Sequence, residues 1–191
     1  FKARLAKRYA LPAGLARRVT EIPTTAEPMH VLRTAVSEMS LYDTHPSDVD
    51  VEQARRKAMN ILGQAPTIVA MFDRCRRGLP IVAPDPSLGF SENFLYMLND
   101  EKPTETMGRA FDICMITHAD HGLNNSTFAA RVVISTLSDV YSALTAAIGS
   151  LRGPLHGGAN EGVMHMLNEI PSVDHVEEYI MGKLERKEKI M

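Results

Sequence analysis

Residues 138–164 read "SDVYSALTAAIGSLRGPLHGGANEGVM": a helix, a stop and the opening of a second helix. Ser138 and Asp139 are good N-cap types, and Tyr141, Leu144, Ile148 and Leu151 then recur on one side. Ala143, Ala146, Ala147 and Gly149 occupy the rest, so the helix has little polar face. Such a helix is expected in a large core or a subunit interface, where small residues permit close approach. Gly153 fits a left-handed C-cap, and Pro154 forbids continuation. After His156, Gly157-Gly158 opens "ANEGVMHMLNEI", where Val163, Met164 and Leu167 repeat at helical spacing.

The same period runs outward along the chain. Val31, Leu32, Val36 and Met39, then Ile68, Val69, Phe72 and Cys75, then Phe94, Leu95 and Leu98 all follow it. A further helix is expected from about Thr104 to Asp120, burying Met107, Phe111, Cys114 and Met115, with Gly122 as its cap, and another from about Ser126 carrying Phe128, Val132 and Val133. Pro23, Pro46, Gly78 to Pro80, Pro84 to Pro86 and Pro103 punctuate the helices. Strand-like stretches are limited to "PIVAP" and "RVVIST". The fold class is therefore all-α.

With 191 residues, 45% hydrophobic and 23% charged, the chain can bury a sizeable core. A net charge of −2 supplies no basic field for nucleic acid, and no window approaches the roughly 18 apolar residues of a membrane span. Neither nucleic acid nor membrane is an expected partner. Cys75 and Cys114 lie in separate helical patterns with no CxxC, which reads as buried thiols in a reducing, cytoplasmic compartment. The opening twenty residues hold six basic residues and no acid; they lack the serines of an organelle presequence and read as a solvated basic helix pair. The start at Phe1 and the uncapped "KLERKEKIM" make both ends look cut.

Two places suggest chemistry. His156 is expected beside the unpaired N–H groups and positive dipole end of the second helix, which disfavours charge on its ring. A neutral imidazole with a fixed N–H can donate to a carbonyl oxygen that gains negative charge during enolisation, and the flanking glycines let a ligand approach the backbone. An ordinary loop histidine is the alternative, since glycine-flanked histidines are common in turns. The second place is "THADHGLNNSTF", 117–128, where His118 and His121 lie three apart at a helix end. They make an incomplete metal site, lacking a third ligand at a persuasive spacing, so no metal is expected. His118 reads better as bonded to backbone. Of Asn124, Asn125 and Ser126, one can N-cap the next helix while the others face a ligand. "GPLHGGANEG" lacks the Lys and Ser/Thr of a phosphate loop, and "GFSEN" misses the G-x-S-x-G elbow of a serine hydrolase. His30, His45, His165 and His175 read as surface or helix-packing positions.

"PMHVLRTAVS" (28–37), "HADHGLNNSTFAARV" (118–132) and the 138–164 stretch are similar, in that order, to motifs of the citrate synthase family. The chain resembles the bacterial and archaeal type, including the related 2-methylcitrate synthases. The resemblance implies a multi-helical large domain and the beginning of a small one, divided as 1–157 and 158–191, assembled as a homodimer with the 138–151 helix at its interface. It implies an acyltransferase of the tricarboxylic acid cycle that closes over oxaloacetate before acetyl-CoA reacts, without cofactor or metal. Carried over residue by residue, His156 matches the histidine that hydrogen-bonds the acetyl thioester carbonyl and stabilises the enol. His121 and Asn124 match oxaloacetate-site residues, Ser126 a serine that orients the catalytic imidazole, and Leu155 and Gly157 the flanks of the catalytic position. Ile190 and Met191 begin the segment that runs into the CoA adenine pocket.

The family's second catalytic histidine lies in a G-x-G-H-x-V-Y type motif expected beyond Met191, and its base aspartate and carboxylate-binding arginines lie further on. The α-proton of acetyl-CoA must be taken by a carboxylate, and none here matches that position. The chain is therefore expected to hold half a site and to be inactive alone. A 2-methylcitrate synthase using propionyl-CoA, and a non-catalytic helical interaction module, are the alternative readings.

Overall fold

A computed structural model of the chain describes residues 1–48, 50–119 and 122–190. It divides into two compact units, Phe1–Ile148 and Gly149–Met191. Among the described residues all regular structure is helical, and no helix is long and apolar enough to cross a membrane.

The first unit is organised around α4, Val51–Arg76. Its start is set by Asp50, whose carboxylate accepts from the Glu52 and Gln53 N–H groups at 3.1 Å each. Glu52 in the first turn and Arg74 and Arg76 in the last complement its dipole. Three earlier helices pack on it: α1 (Lys2–Ala6), α2 (Ala13–Glu21) and α3 (Pro28–Glu38), the last beginning on a proline that has no N–H to lose. A 3-10 turn, Met39–Tyr42, continues α3. Leu15, Val19, Val36 and Ile68 are wholly or almost wholly buried where these helices meet, each stabilising by about 1.5–3 kcal/mol.

Next come α5 (Phe90–Asn99), α6 (Glu105–Ala119), α7 (Asn125–Ile134) and α8 (Val140–Leu151). The Glu92 carboxylate accepts from the Gly89 N–H at 2.9 Å and so caps α5. Asp139 caps α8, accepting from the Ser142 N–H at 2.9 Å. Tyr141 of α8 is buried in the core of the first unit, with Leu144 and Ile148 packed against it.

The helix expected from about Ser126 is α7, and the strand-like "RVVIST" lies in it as far as Ile134, because the Asn124 cap starts a helix that overrides the β-branched run. Three expectations need correction. "PIVAP" is irregular, its two prolines leaving it short of ladder donors. The apolar face of α6 is not buried. That helix meets α5 through Gly108, the stacked Phe94 and Phe111 rings 5.4 Å apart and a Ser91-to-Asp112 hydrogen bond of 2.5 Å. Met107, Cys114 and Met115 stay exposed on its other sides. Gly153 is not left-handed either; Gly122 is, at φ 62°.

The second unit holds α9 (Gly158–Glu169), a 3-10 turn Val173–His175 and α10 (Val176–Glu185). The Tyr179 hydroxyl donates to Glu169, and the Lys183 ammonium stands 3.9 Å from the same carboxylate, pairing α10 with the end of α9.

Candidate functional site

The turn that carries His156 is built by its own backbone. The Gly153 N–H donates to the Ser150 carbonyl (3.0 Å), that of His156 to Gly153 (2.9 Å), that of Gly157 to Leu151 (2.9 Å) and that of Gly158 to Gly153 (3.2 Å). Ala159 and Asn160 donate to the carbonyls of His156 and Gly157, both at 3.1 Å. The first N–H groups of α9 are therefore taken, which corrects the expectation of unpaired donors beside the imidazole. Ala159 and Asn160 spend theirs on short i to i−3 bonds, and Gly158 on a longer one back to Gly153.

Gly157 has an ordinary helical conformation, φ −65° and ψ −28°, so its lack of a side chain is not a matter of backbone freedom. A Cβ there would lie 2.3 Å from the Leu151 carbonyl oxygen. The atom that needs the space is the chain's own, which revises the reading of this glycine as room for a ligand. His156 is half-buried, while Leu155 is 93% exposed.

Of the other candidates, Asn124 and Ser126 lie in the first unit and Ile190 in the second. Asn124 is the N-cap of α7, its Oδ1 accepting from the Thr127 N–H at 2.9 Å. Ser126, in the first turn of that helix, is half-buried. The His118 Nδ1 lies 2.7 Å from the Cys114 carbonyl, the backbone bonding expected of it, though the ring is exposed. His121 and Met191 lie outside the described residues, and Ile190 is exposed. Among the described residues no group of three His, Cys, Asp or Glu is placed to hold a metal ion.

The sequence reading passed over a buried polar cluster at the head of α8. The Asp43 side chain is 2% exposed and accepts from Arg56 (2.8 and 3.0 Å), from the Tyr141 hydroxyl (2.7 Å) and from the His45 N–H (3.0 Å). Burial alone would raise the Asp43 carboxyl; the His45 N–H, Arg56 and Tyr141 outweigh it and bring it down to about 2. Burial, then the bond to Asp43, pushes the Tyr141 hydroxyl well above the ordinary phenol range. The "DTHP" turn at 43–46 hints at an aspartate bonded to its own backbone, but nothing local joins it to a tyrosine 98 positions away.

A family model described as citrate synthase, C-terminal domain, matches residues 1–191. The chain belongs to the citrate synthase family. A citrate synthase of Deinococcus radiodurans is 48% identical over 191 residues, which are all of this chain and 51% of that one. A 2-methylcitrate synthase of Mycobacterium tuberculosis is 50% identical over 173 residues, 91% of this chain and 44% of that one. Among solved structures, the citrate synthase of Thermoplasma acidophilum, a ternary complex with carboxymethyl coenzyme A and oxaloacetate, superimposes at a TM-score of 0.84. It is 29% identical, over 98% of this chain and 49% of that one. The chain thus spans about half the length of the citrate synthases it matches.

Proposed function

We propose that the protein carrying this chain condenses acetyl-CoA with oxaloacetate and hydrolyses the citryl thioester to citrate and CoA. The observation that carries this reading is the family match over the full chain, supported by likeness to a citrate synthase solved with a CoA analogue and oxaloacetate. In this reading His156 donates its ring N–H to the thioester carbonyl, where enolisation places negative charge. His121 and Asn124 hold oxaloacetate. With its Oδ1 committed to capping α7, Asn124 presents its amide NH₂ as the donor. Ser126 orients the imidazole, Leu155 and Gly157 flank it, and Ile190 and Met191 lead toward the CoA adenine. The carboxylate that removes the α-proton is not among these residues.

Two copies are proposed to associate, in the cytoplasm, where the free thiols Cys75 and Cys114 are at home. Met107 and Ile116 of α6 and Phe128 and Val132 of α7 are 48–68% exposed, an apolar character that suits an interface. A second reading, 2-methylcitrate synthase acting on propionyl-CoA, has an equally similar relative in its favour.

The test is steady-state CoA release by the full-length enzyme with each thioester. A kcat/KM higher with propionyl-CoA would favour the second reading, and no turnover with either would refute both. His156→Ala is expected to lower kcat by about 10²–10³-fold, the usual loss for one such donor. His121→Ala should mainly raise the KM for oxaloacetate.

A further inference from the structure

The first unit contains a groove of about 310 Å³ between α1 and the first turns of α4, where Arg4, Arg8, Arg55 and Arg56 converge around Glu52. Elsewhere in the chain, Arg17, Arg18, Arg74, Arg77 and Arg186 each stand within 4 Å of a carboxylate, while Arg33, Arg76, Arg109 and Arg131 make no ion pair among the described residues but lie apart from the groove. In the groove only Arg56 does, and its partner is the buried Asp43. Arg4, Arg8 and Arg55 make no ion pair among the described residues. Arg8 donates from Nη1 to the neutral Asn60 Oδ1 at 2.7 Å, and its Nε is buried without a hydrogen-bond partner. Three guanidinium charges thus face one carboxylate in a chain whose net charge is −2.

The walls of the groove are held in place. A Cβ on Gly63 would come within 2.8 Å of the Arg8 carbonyl oxygen, so the exit of α1 lies directly against α4. Thr67 donates to the Tyr9 carbonyl at 2.7 Å, and Gln64 to that of Ala10 at 3.2 Å. Holding like charges close together costs energy, and the buried, unbonded Nε of the half-buried Arg8 adds to that cost. An anion in the groove offsets both. Arginine forks on several sides of one space suit a tetrahedral oxyanion, whose oxygens point outward in all directions, better than a planar carboxylate with two. The volume is at the lower end for a small-molecule site and admits a short phosphate chain.

We propose that this groove binds a compact multivalent phosphate, as an oligophosphate or the phosphate chain of a nucleotide. The proposal does not depend on the reaction assigned above. Isothermal titration of the chain with sodium tripolyphosphate at low salt is expected to show one site. Arg4→Gln, Arg8→Gln and Arg55→Gln should each weaken it about tenfold, and Arg76→Gln, outside the groove, should not change it. Arg4 and Arg55 are exposed, so two of the three variants leave the core untouched; thermal melting checks the third. Adenosine triphosphate as a second titrant distinguishes a nucleotide from a free oligophosphate by whether it binds more tightly. The proposal is overturned if tripolyphosphate does not bind, if Arg4→Gln and Arg55→Gln bind as well as the parent, or if the tricarboxylate tricarballylate binds equally.

Discussion

Replacing Gly157 by alanine tests the turn around His156. The new Cβ would sit 2.3 Å from the Leu151 carbonyl oxygen and 2.8 and 2.9 Å from the Leu151 Cδ1 and Cγ, where an ordinary contact needs about 3.4 Å. Relief requires the two segments to part by about 1 Å. That stretches the 2.9 Å Gly157-to-Leu151 hydrogen bond beyond useful range. The lost bond is worth about 1 kcal/mol and the forced repacking about 1–3 kcal/mol. Alanine recovers little at an N-cap, where glycine is the better residue. The turn is therefore destabilised by about 2–4 kcal/mol. Amide hydrogen exchange at residues 157–160 reports this locally and should quicken about thirtyfold or more. Adding Leu151→Ala removes the side-chain contacts but not the carbonyl, so the double variant should remain unprotected. Unchanged exchange in Gly157→Ala would refute the reasoning, as would full rescue by Leu151→Ala.

Other consequences follow from capping, charge and backbone geometry. Because the Asp43 carboxyl drops to about 2 in the folded chain from an ordinary 3.8, it binds fewer protons folded than unfolded. Its contribution of about 2 kcal/mol is complete above about pH 4 and lost as the pH falls toward 2; urea midpoints across that range should show the step, and Asp43→Asn should flatten it. Asn124→Ala removes the α7 cap and should cost about 1 kcal/mol of helix stability, read as faster exchange at the Thr127 amide. Gly78 has φ 65°, and a Cβ there would meet nothing within 4 Å, so Gly78→Ala should cost about 1 kcal/mol in a thermal melt through backbone strain alone.

Much of the helical plan is legible before any coordinates. The caps at Asn124 and Asp139 are side chains bonding amides three residues on, and such chemistry is readable from a short window. The same holds for the stripe Val31, Val36 and Met39, which is buried as its period requires. Other readings failed because a window does not show what a residue meets. Met107 and Cys114 obey the helical period yet stay exposed, since only the Gly108 and Phe111 side of α6 lies against α5. Gly153 looked like a left-handed cap, but the turn closes through bonds from Gly157 and Gly158 back to Leu151 and Gly153.

For the candidate site the division is similar. The sequence by itself determined which residue types stand around His156, where the helices on either side begin and end, and which family the motifs resemble. Only the tertiary structure decided that Gly157 makes room for the Leu151 carbonyl, that Asn124 already spends its oxygen on a cap, and that Asp43 joins Arg56 and Tyr141. Local propensity and capping act over one or two turns of chain, whereas steric exclusion and buried charge depend on which distant atoms the packed core brings within a few ångströms.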